Sequence, residues 1–230
     1  MVSMEISLSG RRVFLTGGSR GIGKRIGSVF QAAGAELTAP GREELDLLSA
    51  ESIEDYLEAN TELKPDIFIH CAGINKLAGI TEIDRDTMQD VFQVNLYSAV
   101  RLLNAFAGSM KERGYGRILF ISSLYAMVSK ERRVAYSASK NALTGLAKSI
   151  ALELAPYHIM VNLIAPGYVM TDMTKKNLSD QEIERIREQI PTGRFQTEDD
   201  IASLAAFLCS DYNQSITGQL IAVDGGFTCR

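Results

Sequence analysis

The 230-residue chain has no tryptophan, only three cysteines, two histidines and five prolines, and it lacks a long apolar run. Each shortage excludes something. Cys71, Cys209 and Cys229 stand far apart, and neither His70 nor His158 has a second ligand type at metal-site spacing, so neither a disulfide framework nor a metal site is expected. No segment approaches the roughly 20 apolar residues of a membrane span. The opening MVSMEISLSG carries Glu5 and has no basic start leading into an apolar stretch, so it does not read as a secretory signal, and a cytoplasmic setting is expected. Charge of one sign is also missing. The 28 acidic and 24 basic residues are spread along the chain, leaving no basic face for nucleic acid or an anionic membrane, and neither partner is expected.

What the chain does have is 46% apolar residues, enough for one substantial core, so a single domain over 1–230 is expected. Short apolar runs without alternation fall at 12–16, 35–39, 66–70, 117–122, 159–164 and 219–223. Runs of this kind suit strands buried on both faces of a parallel sheet. Amphipathic stretches at 21–33, 50–59, 86–112, 135–154, 179–189 and 198–209 lie between them, the last two opening on Ser179 and Thr197 as N-caps. Alternating strand and helix predicts a doubly wound α/β sheet whose ligands bind beyond the carboxyl ends of the strands.

The first run leads straight into T-G-G-S-R-G-I-G, residues 16–23, and then into a helix. Gly17, Gly21 and Gly23 remove side chains that would hold a pyrophosphate off the backbone, and the amides about Ser19, Arg20 and Ile22 lead into a helix N-terminus. A glycine-rich turn that binds nothing would look similar. After the second run the chain reads A-P-G-R, with Arg42 where an acidic residue would grip a ribose 2′-hydroxyl. With Arg20 nearby, guanidinium groups suit a 2′-phosphate, so NADP(H) is favoured over NAD(H), although Glu43 and Glu44 follow at once. Asp46 either meets the adenine amino group or caps the helix beginning near Ser49.

A-Y-S-A-S-K sets Tyr136 and Lys140 four residues apart on one helical face. Ser123 precedes them at the end of a strand. Asn95 sits within a long helical stretch, where an amide has no packing reason to point inward. Taken singly, these residues read equally as a strand-end hydroxyl, a polar helix residue and a half-buried aromatic.

Together, T-G-G-S-R-G-I-G, C-A-G, V-N-L, I-S-S, Y-S-A-S-K, P-G-Y-V-M-T and V-D-G-G follow the order and spacing of short-chain dehydrogenases/reductases over nearly the whole chain, and the resemblance is specific. It implies a Rossmann-type sheet of about seven strands with helices on both faces. It also implies a catalytic tetrad of Asn95, Ser123, Tyr136 and Lys140, and cofactor contacts from Ala72, Gly73, Pro166, Gly167, Val169 and Thr171. In such a site Tyr136 moves a proton, Lys140 and the nicotinamide charge lower its pKa, Ser123 bonds the substrate oxygen, and Asn95 holds a relaying water. Where relatives read N-N-A-G, this chain has His70 and Cys71, so a modest packing change is expected there.

Residues 168–226 look most like β-ketoacyl-[acyl carrier protein] reductases, which implies a substrate lid over about 168–195. Arg113, Lys175 and Lys176 would then meet an acyl carrier. A small-molecule or carrier-bound carbonyl substrate is expected; sugar and secondary-alcohol dehydrogenases share the framework, and a cofactor-binding scaffold without turnover is the remaining alternative. The chain's end at V-D-G-G-F-T-C-R argues against epimerases with a second substrate domain. The resemblance further implies a homotetramer, or a homodimer, packed through the two long helices and the last strand.

Overall fold

A computed structural model describes residues 5–171, 174 and 179–229. Six strands form one parallel sheet: β1 (Arg12–Thr16), β2 (Glu36–Thr38), β3 (Ile67–His70), β4 (Gly116–Ile121), β5 (Ile159–Pro166) and β6 (Leu220–Val223), in the order β2-β1-β3-β4-β5-β6. Every residue of β3 and β4 is buried, as their unbroken apolar runs require. Side chains alternate between two cores. Phe14, Phe68 and Phe120 point to one, where the Phe106 ring lies 5.0 Å from Phe14 and 5.8 Å from Phe68 between centroids. Val13, Leu15, Ile67, Ile69, Leu119 and Ile121 point to the other.

Helices α2 (Ala50–Ala59), α4 (Ser98–Arg113) and α5 (Val134–Leu154) contribute to the first core, and α1 (Gly21–Ala32) and α7 (Glu198–Cys209) to the second. The remaining described helices are α3 (Arg85–Phe92) and α6 (Asp180–Gln189). Ser179 and Thr197 close capping boxes with Glu182 and Asp200, as the sequence predicts.

Three expectations are corrected. The described sheet has six strands, not about seven: the 28 residues between β2 and β3 hold one crossover helix, α2, and parallel neighbours need a crossover of a dozen or more residues for each added strand. Leu45 and Leu47 fill the first core instead. The stretch 86–112 is not one regular helix, because a π-helical turn, Gln93–Tyr97, separates α3 from α4. Finally, Arg113 does not lie near the cleft. It donates to the Pro65 carbonyl at 2.7 Å and pairs with Asp66 at 3.1 Å, at the amino ends of the strands.

The strand order reverses beside β1, with β2 on one flank and β3 on the other. This places a crevice at the carboxyl ends of β1 and β3, and a cavity of about 900 Å³ opens there.

Candidate active site

The floor of the cavity is the turn from β1 into α1. Helices α2, α3, α6 and α7 each carry a side-chain N-cap, whereas α1, like α4 and α5, has none; its first residues, Gly21, Ile22 and Gly23, line the cavity with their amides unclaimed by side chains. Gly17 is left-handed at φ 73°, and a Cβ on it would come within 2.7 Å of the Ala72 nitrogen. Gly21, at φ 54°, has nothing nearer than 3.8 Å to such an atom, because it faces open space. Backbone brought this close to a void, beneath an uncapped helix end, fits a pyrophosphate. Ser19 and Arg20 are exposed at its rim.

At the adenosine end Arg42 is exposed and pairs with Asp46 at 3.2 Å. Asp46 accepts from Leu48 N, while Ser49 caps α2, so the capping alternative for Asp46 is not taken. Asp46 remains in the cavity wall, as do Ala72, Gly73, Pro166, Gly167, Val169 and Thr171. Thr171 Oγ1 accepts from Thr174 N at 3.2 Å. Lys175 and Lys176 lie outside the described residues.

Four side chains from three places in the chain, the π turn, the end of β4 and α5, converge at the other end. Lys140, on α5, is 3% exposed, and its Nζ donates to the Ile121 carbonyl at 2.8 Å. Burial pulls its pKa down to about 8. Nζ lies 5.7 Å from the centroid of the Tyr136 ring, one helical turn away. Burial raises the Tyr136 phenol, while contact with the Ser123 hydroxyl and the Arg133 charge work the other way. Ser123 leaves β4 and also accepts from Tyr125 N at 3.2 Å.

Asn95 is fully buried because the π turn aims it inward. Its Oδ1 accepts from Ile74 N at 2.8 Å, and its Nδ2 donates to Ile74 O and to Ser139 Oγ at 3.1 and 2.9 Å. Single π turns inside α-helices recur at functional sites. A Cβ on Gly73 would stand 3.4 Å from both Asn95 Oδ1 and Lys140 Nζ, so the Gly73 backbone lies directly against both groups.

His70 does more than change the packing. Its Nε2 bonds the Val94 carbonyl at 3.1 Å and its Nδ1 meets Thr16 Oγ1 at 2.9 Å, linking β1, β3 and the π turn. Burial lowers its pKa to about 3, so the ring is neutral; Nε2–H donates to Val94 and Nδ1 accepts from Thr16. Cys71, at the cavity wall, is a thiol pushed up to about 12 by burial.

Sequence reasoning missed Ser139 and Arg133. The first was findable: it sits inside Y-S-A-S-K, three residues after Tyr136 and thus on the same helical face. The second had no local signal.

An uncapped glycine turn and a half-buried tyrosine paired with a buried lysine, at opposite ends of one cavity, define a nucleotide-dependent α/β oxidoreductase. Comparison with known proteins agrees. The family model described as enoyl-(acyl carrier protein) reductase matches residues 39–228. A 3-oxoacyl-[acyl-carrier-protein] reductase of Aquifex aeolicus is 34% identical, with 97% of this chain and 99% of that protein covered. A 2-dehydro-3-deoxy-D-gluconate 5-dehydrogenase of Bacillus subtilis is also 34% identical, with 97% of each covered. A solved structure from Beutenbergia cavernae, described as a candidate NAD(P)-dependent gluconate 5-dehydrogenase with NADP bound, superposes with a TM-score of 0.92 at 32% identity, covering 98% of this chain and all of that one. The chain belongs to the short-chain dehydrogenase/reductase family; it is an oxidoreductase that binds a nicotinamide dinucleotide.

Proposed function

We propose that the protein interconverts a carbonyl and a secondary alcohol with NADP(H), Asn95, Ser123, Tyr136 and Lys140 carrying the chemistry. The observation that carries this reading is the convergence of Ser123, Tyr136 and Lys140 at the end of the cavity opposite the phosphate turn, with Asn95 buried against the cavity-wall residues Gly73 and Ile74. Gly17–Gly23, Ala72, Gly73, Pro166, Gly167, Val169 and Thr171 would hold the dinucleotide, which would supply or accept the hydride when bound. In reduction Tyr136 gives its proton to the carbonyl oxygen, Ser123 donates a hydrogen bond to that oxygen as charge develops, and Lys140 returns the proton to Tyr136 from the side held by Asn95.

NADP(H) is favoured over NAD(H) because Arg20 and Arg42 stand exposed at the adenosine end. The Arg42–Asp46 pair is a surface contact weak enough to be exchanged for a 2′-phosphate. Reduction of a 3-oxoacyl thioester is the first substrate reading, supported by the Aquifex relative. Oxidoreduction of a sugar acid or other polyol is the second, supported by the Bacillus relative, the Beutenbergia structure and the electrostatics taken up below.

The segment 168–195 is proposed as a substrate lid. Its base is pinned where Met170 N donates to Gln196 O at 2.9 Å and Gln196 N to Tyr168 O at 3.0 Å. Exposed Tyr97, Val100 and Leu152, on the π turn, α4 and α5, support assembly through these helices as a homotetramer or homodimer.

A screen of β-ketoacyl thioesters and polyols with both nicotinamide cofactors tests the reading. Tyr136→Phe should lower kcat by about 10²–10⁴-fold while NADPH still binds. Undiminished turnover in that variant refutes the assignment.

A further inference from the structure

Two arginines in sequence, Arg132 and Arg133, precede α5 and are turned to different ends. Arg132 sits at φ 62°, a left-handed conformation that bulky residues rarely adopt. It is held there by Ala78 N, which donates to its carbonyl at 3.1 Å, and by an ion pair with Glu82 at 2.8 Å. This kink sends Arg133 the other way. Its guanidinium carbon lies 5.4 Å from the centroid of the Tyr125 ring, which meets the Tyr136 ring edge-on at 6.3 Å and bonds the Tyr168 hydroxyl at 3.2 Å.

Among the described residues the Arg133 guanidinium has neither an ion pair nor a hydrogen bond, although the residue is half-buried. A guanidinium has five donors, and stacking on a ring face satisfies none of them. The carboxylates of the described cavity wall, Asp46 and Glu198, stand at the other end, Glu198 beside Gly21. A cation without a described counter-charge therefore stands one aromatic ring away from Tyr136, beside the reacting end of the cavity, next to a backbone kink at Arg132. Backbone strain of this kind persists where the surrounding structure enforces it, commonly at functional sites.

We propose that Arg133 binds a carboxylate on the substrate, so that the preferred substrate is an oxo acid or hydroxy acid rather than a neutral ketone, alcohol or thioester. The inference rests on reading the cavity as a carbonyl–alcohol redox site, and it favours the sugar-acid reading over the thioester. A carboxylate matches the planar fork of an arginine in bidentate geometry. The same cation also opposes the effect of burial on the Tyr136 and Tyr168 phenols.

The test uses the full chain with NADP⁺ or NADPH and matched pairs of compounds: acetoacetate with its methyl ester, and gluconate with glucitol. The wild type should show the higher kcat/KM with the acid in at least one pair. Arg133→Met, with folding checked by circular dichroism, should lower the acid-to-neutral ratio of kcat/KM by about tenfold to a hundredfold, chiefly through KM for the acid. Arg133→Lys should restore part of that ratio, an outcome a purely structural role would not give. Equal losses on both members of a pair overturn the proposal, as does a wild type that turns over neutral carbonyls or thioesters and no acid. In that last case, turnover that disappears in Tyr136→Phe leaves the redox reading standing. Absence of turnover on every compound, with no quenching or enhancement of NADPH fluorescence on binding, overturns both.

Discussion

Gly23→Ala is a severe test of the phosphate turn, because the structure sets its size. A Cβ at position 23 would fall 2.1 Å from the Gly17 oxygen and 2.8 Å from the Gly17 carbon, with Cys71 Sγ at 3.3 Å. The Gly17 peptide must therefore retreat by about 1 Å, a displacement large enough to cost on the order of 100-fold when it misplaces reacting groups. Retreat is obstructed. Gly17 already lies so close to Ala72 that a Cβ on it would meet the Ala72 nitrogen at 2.7 Å. Overpacking of this kind costs about 1–3 kcal/mol, and the amides that receive the pyrophosphate move with the peptide. The expected outcome is a Kd for NADPH raised at least about tenfold, equivalent to about 1.4 kcal/mol, with a lower urea midpoint. NADPH fluorescence titration and urea denaturation followed by circular dichroism measure the two. A variant with wild-type affinity and an unchanged midpoint would refute the packing argument and the placement of the phosphates.

Lys140 predicts a pH limb. Burial lowers its pKa to about 8, so it is protonated below that pH and neutral above it. Reduction consumes a proton passed through Lys140 to Tyr136, so its rate should fall as pH rises through about 8, while alcohol oxidation rises; stopped-flow rates across pH 6.5–9.5, roughly 1.5 units either side, would show it. His70 predicts a stability change with its own pH signature. His70→Leu removes two buried hydrogen bonds and leaves the Thr16 hydroxyl without its acceptor, a loss of about 2–4 kcal/mol at pH 7 by urea unfolding. Because the folded-state pKa is lowered to about 3, the unfolded chain binds the extra proton between pH about 6.5 and 3. The wild type should thus lose about 1.4 kcal/mol per pH unit through this ring on acidification, the variant should not, and the gap should narrow below pH about 6. A gap that stays constant with pH would show that the ring is not buried and neutral.

The parallel sheet was legible because strands covered on both faces leave unbroken apolar runs, and RVFLT, DIFIH and RILFIS are such runs. The phosphate turn and the Tyr136–Lys140 pair were legible for the same reason. Both are local: a strand, a turn and a helix in succession, or two residues one helical turn apart, have their relative positions set by backbone geometry alone. Ser179 and Thr197 as caps belong to the same class.

Whatever depended on a partner distant in the chain required the tertiary structure. Asn95 is in plain view in V-N-L, yet a regular helix gives it no reason to turn inward; the π turn does, and Ile74 and Ser139 receive it. His70 looked like a missing asparagine until Thr16 and Val94 were seen on either side of its ring. Arg113 and Arg133 show the contrast most sharply, since each is an arginine beside a helix end. One is neutralised by Asp66 at the amino ends of the strands; the other stands over Tyr125 without a counter-charge among the described residues, next to the kink at Arg132. Residue types and short spacings decided which chemistry the chain carries. Only the packing of remote segments decided which charges remain unpaired beside the site, because a charge is neutralised by whatever lies within a few ångströms in space, at any separation in sequence.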